Sequence, residues 1–194
     1  MNIEPLLKNI SKHVILNDTE IELVSNFWRE KKINRGEYIL RNGETCKYDS
    51  YILNGAVKAF YIDSGRGTEK ILFLGVEDWW ASDIHSFSTN TKSIFNIQAI
   101  ENTTLLQISQ NSYDKMILEI PKLEKYFRKI LESYLGTLQR RIVANNTLCA
   151  EKRYLEFIIQ YPKLSERFPQ YLIASYLNIS PEMLSRIKNR LPLN

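Results

Sequence analysis

The sequence predicts an α+β fold with three successive textures: a short helical start, a β-rich body, and a helical remainder closing in two short helices. Apolar residues recur at three- and four-residue spacing before residue 30 and after residue 111. Between those limits the chain breaks into short runs of Tyr, Ile, Val, Phe and Thr, which suit a pleated surface, separated by Asn-Gly and Ser-Gly turns. The stretch "YLIASYLNISPEMLSRIKNRL", from Tyr171 to Leu191, then packs two helical patterns around hardly any turn.

The first texture rests on Leu6, Leu7 and Ile10, then Ile21, Leu23, Val24, Phe27 and Trp28, with Asn17 or Asp18 able to cap the second helix. From about Lys32 to Ser109 the closely spaced strands point to a β-sandwich or barrel. Asn42-Gly43 and Asn54-Gly55 can take the positive φ of tight hairpin turns, and "SGRG" at 64–67 is placed as the turn of an antiparallel pair. "NSYDKMILEI" stops at Pro121, and a long helix follows from about Lys122 to Asn146. On it Leu131, Leu135, Leu138, Ile142 and Asn145 alternate four- and three-residue steps, the pattern of a coiled-coil seam. A second apolar face (Leu123, Phe127, Ile130, Tyr134) allows one face for the body and one for a twin; the seam packing on its own β-domain is the alternative.

The closing stretch has a mechanical reading. On helices at Gln170–Leu177 and Ser180–Leu191, Ile173, Leu177, Leu184, Ile187 and Leu191 face inward, and Ala174 is small enough for a close crossing. Asn178 tolerates the left-handed turn conformation, Ile179 plugs the corner, Ser180 caps, and Pro181 suits the first helical position. Glu182, Ser185, Arg186, Lys188, Asn189 and Arg190 remain outward. That is a helix-turn-helix. Arg186 can make a two-pronged bond to guanine, Glu182 can accept from cytosine, and Lys188, Arg190 and the helix start at Ser180 can meet phosphates. The plainer alternative is a surface hairpin on which Glu182 and Arg186 merely pair.

Composition agrees without deciding. A net charge of +4 permits a polyanionic partner, and residues 147–194 carry much of the excess, with seven Lys and Arg against four Glu. Cys46 and Cys149 are too few for a thiolate zinc or iron–sulfur site, and His13 and His85 are too isolated to argue a metal. No metal or cofactor is expected. The N-terminus lacks the apolar run of a signal peptide and no segment is long and apolar enough to span a bilayer, so a cytoplasmic location and no membrane partner are expected. There is no P-loop, G-x-S-x-G elbow or H-E-x-x-H, so the chain is not expected to be an enzyme.

A β-rich sensor, a long helix and a C-terminal helix-turn-helix with "SPEMLSRIKNRL" resemble, over the full length, the Crp/Fnr family of bacterial regulators in its Bacteroidetes-like form. The resemblance implies an antiparallel jelly-roll of the cyclic-nucleotide-binding kind at 1–110, a linker and dimerisation helix at 111–146, and a DNA-binding domain at 147–194. It assigns base contacts to Glu182 and Arg186 of an E-x-x-x-R pattern. Its partners are a roughly palindromic duplex, a second copy of the chain, and RNA polymerase. Pro181 stands where many members have Arg, and with only "LPLN" after the second helix little or no wing is expected.

In the cyclic-nucleotide-binding members an F-G-E-x-(A/G) segment and a following R-(S/T)-A hold the ligand. Trp80-Ala81-Ser82 stands where F-G-E would be, with Asp83 one residue off the Glu, and Ser93-Ile94-Phe95 stands where R-S-A would be, with Lys92 one residue off the Arg. Without the arginine a phosphate loses its main partner, so cyclic AMP is not expected to bind tightly. Trp79, Trp80, His85, Phe87 and Phe95 can line an apolar cavity for another effector, which the sequence does not identify. A small-molecule-binding module whose C-terminal helices serve oligomerisation or a partner is the alternative function.

Overall fold

A computed structural model describes residues 1–65 and 67–191. Two helices, α1 (Glu4–Ser11) and α2 (Asp18–Phe27), precede seven strands. Asn17 caps α2 through a reciprocal box, its side chain accepting from the Glu20 N–H (2.9 Å) while the Glu20 carboxylate accepts from the Asn17 N–H (2.8 Å). The strands are β1 (Arg29–Ile33), β2 (Tyr38–Leu40), β3 (Tyr48–Asn54), β4 (Val57–Ile62), β5 (Glu69–Gly75), β6 (Asn96–Ala99) and β7 (Thr103–Ser109). They form two antiparallel sheets, β1-β7-β3 and β2-β6-β4-β5, facing each other as a jelly-roll sandwich. Ile33, Leu40, Ile52, Val57, Ala59, Ile97, Ala99 and Leu105 are buried between them.

Alternation along the strands sets what each outer face meets. Tyr51, Leu106 and Ile108 point away from the sandwich into a second core, built with Leu6, Ile10 and Val24 of the first helices. The same core takes Met116 of α4 (Gln110–Glu119) and Leu123, Tyr126 and Phe127 of α5 (Leu123–Thr147). On the other sheet Phe60, Ile71 and Leu74 point outward into a third core, shared with the C-terminal helices. These are α6 (Ala150–Gln160), α7 (Pro162–Arg167), α8 (Gln170–Tyr176) and α9 (Pro181–Arg190). Phe157, Leu164, Phe168, Leu172 and Ile173 bury against that sheet. The helical end is therefore docked on the β-body.

Four local expectations change. The stretch read as continuous strand and loop contains a helix, α3 (Ile84–Thr89), capped by Asp83, whose carboxylate accepts from the Ser86 N–H (3.1 Å). Asn54-Gly55 is not a hairpin turn but a crossing: β3 and β4 lie in different sheets. Gly55 has φ +106, and a Cβ there would sit 2.4 Å from Thr103 Oγ1, so only glycine passes. Strand β1 begins at Arg29 rather than near Lys32. A separate helix, α7, was not anticipated between α6 and the closing hairpin; Pro162 opens it at a position where a missing N–H costs nothing. The pair β4–β5 does form, from Val57 opposite Gly75 to Ile62 opposite Glu69, though Arg66 of the "SGRG" turn lies outside the described residues. So do Pro192, Leu193 and Asn194 of "LPLN".

Candidate nucleic-acid interface and effector cavity

The closing hairpin is built by the devices its sequence contains. Asn178 has φ +54, and its N–H donates to the Ser175 carbonyl (3.1 Å) while the Ile179 N–H donates to the Ala174 carbonyl (3.0 Å). Ala174 is completely buried, so α8 and α9 cross closely there. Ser180 Oγ accepts from the Met183 N–H (3.2 Å) and Pro181 opens α9. Leu184 and Ile187 are buried, whereas Ser180, Pro181, Glu182, Ser185, Arg186, Lys188, Asn189 and Arg190 are all exposed. One rigid helix thus presents one acceptor and three cations to solvent. The Ser180 hydroxyl and the helix's own free amide, with Arg186 a smaller contributor, hold the Glu182 carboxyl below the usual range. Among the described residues no ion pair joins Glu182 to Arg186, so neither is spent on the other.

Helix α5 divides along its length. Its first turns are anchored by buried Leu123, Tyr126 and Phe127. Beyond them Leu131, Leu135 and Ile142 are exposed, with Leu138 and Asn145 half-buried. Tyr134, read as body-facing, is 42% exposed. Leu131, Leu135 and Ile142 therefore form an apolar stripe that the chain itself leaves uncovered.

The C-terminal block is held on the β-body by polar contacts at its rim. Strand β5 is an edge strand, and its free groups are met from outside the sheet. The Ile71 N–H donates to Ser175 Oγ (3.1 Å), which donates to the Glu69 carbonyl (3.1 Å). Arg141 of α5 donates to the Leu72 carbonyl. Arg167 of α7 grips both Glu77 (2.6 Å) and Glu101 (2.7 Å). Burial pushes the Glu77 carboxyl up, but Arg167 and the Gly55 N–H hold it below the usual range.

The residues matched to a nucleotide cassette are only partly gathered. The segment from Asp78 to Ala81 runs along β3, the Ala81 N–H donating to the Ser50 carbonyl (2.7 Å). As in a strand, Trp79 and Trp80 point opposite ways. Trp80 joins Trp28, Tyr51 and Phe127 at 5.5–5.8 Å between ring centres, and Trp79 meets Tyr161 of the C-terminal block at 5.6 Å. Asp83, which stands beside the glutamate position, caps α3 and accepts from Ser93 Oγ (2.7 Å), so these two satisfy each other. Lys92 is exposed, and Ile94 is 79% exposed.

Two cavities adjoin these residues. One of about 450 Å³ lies within the sandwich and is lined by Ala81, Cys46, Ile97 and Gln107. The other, about 960 Å³, opens between β5, the middle of α5 and the C-terminal helices. It is lined by Trp80, Ser82 and Asp83 of the cassette and by Trp79, His85, Phe87 and Phe95. Lys92, Ser93 and Ile94 line neither. Tyr161, Leu164 and Tyr176 close it from the C-terminal block, and Asp49 forms part of its wall. Sequence reading missed all four. Only Asp49 left a signal, as a carboxylate inside the apolar strand "YDSYIL".

Comparison with known proteins agrees with this architecture. A family model described as "Cyclic nucleotide-binding domain" matches residues 30–119. The transcriptional activator protein Anr of Pseudomonas protegens is 22% identical, covering all of this chain and 81% of its own length. The fumarate and nitrate reduction regulatory protein of Yersinia pestis is 24% identical over 90% of this chain and 74% of its own. Among solved structures, FixK2 from Bradyrhizobium japonicum superposes with a TM-score of 0.72 at 16% identity, covering 84% of each chain. A Crp/Fnr-family regulator from Eubacterium rectale gives 0.64 at 17% identity, covering 90% of this chain and 82% of that one.

The cavity's chemistry is set by this chain's own residues. Asp49 is 5% exposed, and burial pushes its carboxyl up to about 6 against the pull of Ser82 (2.6 Å) and the Ser50 N–H. A carboxyl raised on folding binds its proton more tightly in the folded state. It therefore favours folding while protonated, and that advantage is lost as pH rises from 3.8 through about 6. The cost at neutral pH is about 3 kcal/mol. Asp49→Asn, which cannot ionise, is expected to be more stable than the parent at about pH 7.5 by up to that amount. The gain should vanish at about pH 4, as read from urea midpoints.

Proposed function

For a chain that carries a cyclic nucleotide-binding domain and has Crp/Fnr regulators among its relatives, we propose the role of a homodimeric, sequence-specific DNA-binding transcriptional regulator. One observation carries the reading. Helix α9 is fixed by a capped, buried hairpin and holds Glu182, Arg186, Lys188 and Arg190 outward, with none of them in an ion pair among the described residues. In this role Arg186 reads guanine and Glu182 cytosine, with Ser185 and Asn189 beside them. Lys188, Arg190 and the Ser180–Pro181 helix start meet phosphates.

Pairing follows from α5. Leu131, Leu135, Leu138, Ile142 and Asn145 form the seam, and covering Leu135 and Ile142 removes exposed apolar surface from water. Twofold pairing sets two copies of α9 to enter successive major grooves about 34 Å apart, which calls for a roughly palindromic operator. RNA polymerase is the further partner of such a regulator. Residues 1–110 act as sensor, 111–146 as linker and rod, and 147–194 as the DNA-binding unit. The sensor does not take cyclic AMP tightly: Asp83 is engaged by Ser93, Lys92 lies outside the cavities, and no arginine comes from the cassette.

Selection from random duplexes is expected to recover a near-palindrome, bound less tightly as salt rises. Arg186→Ala should cost about 1–3 kcal/mol and relax specificity at one base pair per half-site; unchanged affinity and specificity would remove Arg186 from the reading. Ile142→Glu should shift the protein from dimer to monomer in sedimentation, with loss of operator binding. Titration with cyclic AMP should show no micromolar binding. If the protein ignores all duplexes even at low salt, the alternative of a ligand-binding module with a partner-binding tail stands instead.

A further inference from the structure

We propose that the 960 Å³ cavity between β5, α5 and the C-terminal helices binds a planar aromatic cation, held by an N–H donated to Asp49. Its volume suits one small molecule, and its lining is mostly apolar, with carboxylates at Asp49, Asp78, Asp83 and Asp114. Rings from three parts of the chain line it: Phe73 of β5, Tyr134 of α5, and Tyr161 and Tyr176 of the C-terminal block, with Trp79 beside them. Aromatic faces carry negative potential, so they favour a flat occupant and a positive one.

The decisive group is Asp49. Both hydrogen bonds it receives, from Ser82 Oγ and the Ser50 N–H, fall on Oδ1. Its Oδ2 receives none from the described residues, while the residue as a whole is 5% exposed. Oδ2 keeps some contact with solvent, and since Asp49 lines the cavity a ligand N–H can reach it. Asp83, at the same end, repels an anion as well. The cations on the wall, Arg140 and Arg141, come from α5, and Arg141 is occupied by the Leu72 carbonyl and the Tyr176 ring (4.9 Å). The charge preference is thus the reverse of a phosphate site.

Because Tyr161, Leu164 and Tyr176 supply part of the wall, an occupant binds best when the C-terminal block is docked, and it favours that arrangement. This deepens the sensor half of the proposed function and rests on it, while leaving the DNA reading independent.

Three probes with one ring system test it: tryptamine (cationic), indole (neutral) and indole-3-acetate (anionic), titrated calorimetrically into the full chain. Tryptamine is expected to bind at least tenfold more tightly than indole-3-acetate. Asp49→Asn should erase that preference, and Thr137→Trp, which fills the cavity from α5 and leaves the Asp49 carboxylate in place, should abolish binding of all three. No binding of tryptamine at millimolar concentration, an equal or tighter acetate, or binding unaffected by Thr137→Trp overturns the proposal. Gel shifts on the same preparation separate this failure from failure of the DNA reading: duplex binding with no tryptamine binding sinks only the cavity assignment.

Discussion

An edge strand cannot be left with unpaired backbone groups where it is covered, and β5 is such a strand. It pairs with β4 on one side only, yet both of its faces are packed, one by the opposing sheet and one by the C-terminal helices. Its free amide at Ile71 and its carbonyls at Glu69 and Leu72 must therefore find partners outside the sheet. Ser175 supplies two and Arg141 the third. Ser175 belongs to the first helix of the closing hairpin and Arg141 to the long helix, so one strand edge fixes both relative to the β-body. The cavity, the orientation of the hairpin and the uncovered stripe of α5 all follow from that seating.

What was legible in the sequence was local. Asn17, Asn178, Ser180 and Pro181 each act through neighbours a few residues away, and each does what its chemistry allows. The inward face of α8 and α9 was legible for the same reason, because helical spacing and burial agree. What was not legible involves partners far apart in the chain. Asn54-Gly55 has turn chemistry, but which sheet the next strand enters depends on pairing with β6 and β7, not on the dipeptide. The Asp83–Ser93 bond spans α3, whose short run "IHSFST" offers only the single apolar pair Ile84 and Phe87 to announce it. The three-way cavity needs Tyr161 and Tyr176 beside Trp79, and nothing near those tyrosines marks them as wall rather than core.

In the segment after β5 the polar side chains turn on one another: Ser82 to Asp49 and Ser93 to Asp83. Its two tryptophans go to separate cores, Trp80 to the N-terminal helices and Trp79 to the C-terminal block. The segment consequently bridges both ends of the chain, and any molecule displacing Trp79 acts on the C-terminal helices directly.

Arg167 has a consequence for any shortened form of this protein. Its guanidinium is shared by two carboxylates from separate loops, and its helix helps cover Phe60, Ile71 and Leu74. Cutting the chain ahead of α7 removes a counter-charge from Glu77 and Glu101 and strips an apolar sheet face next to an unpaired strand edge. The β-sandwich alone thus combines the two features that drive sheets to stack edge on edge. Here the C-terminal helices serve as the sandwich's own protection against self-association.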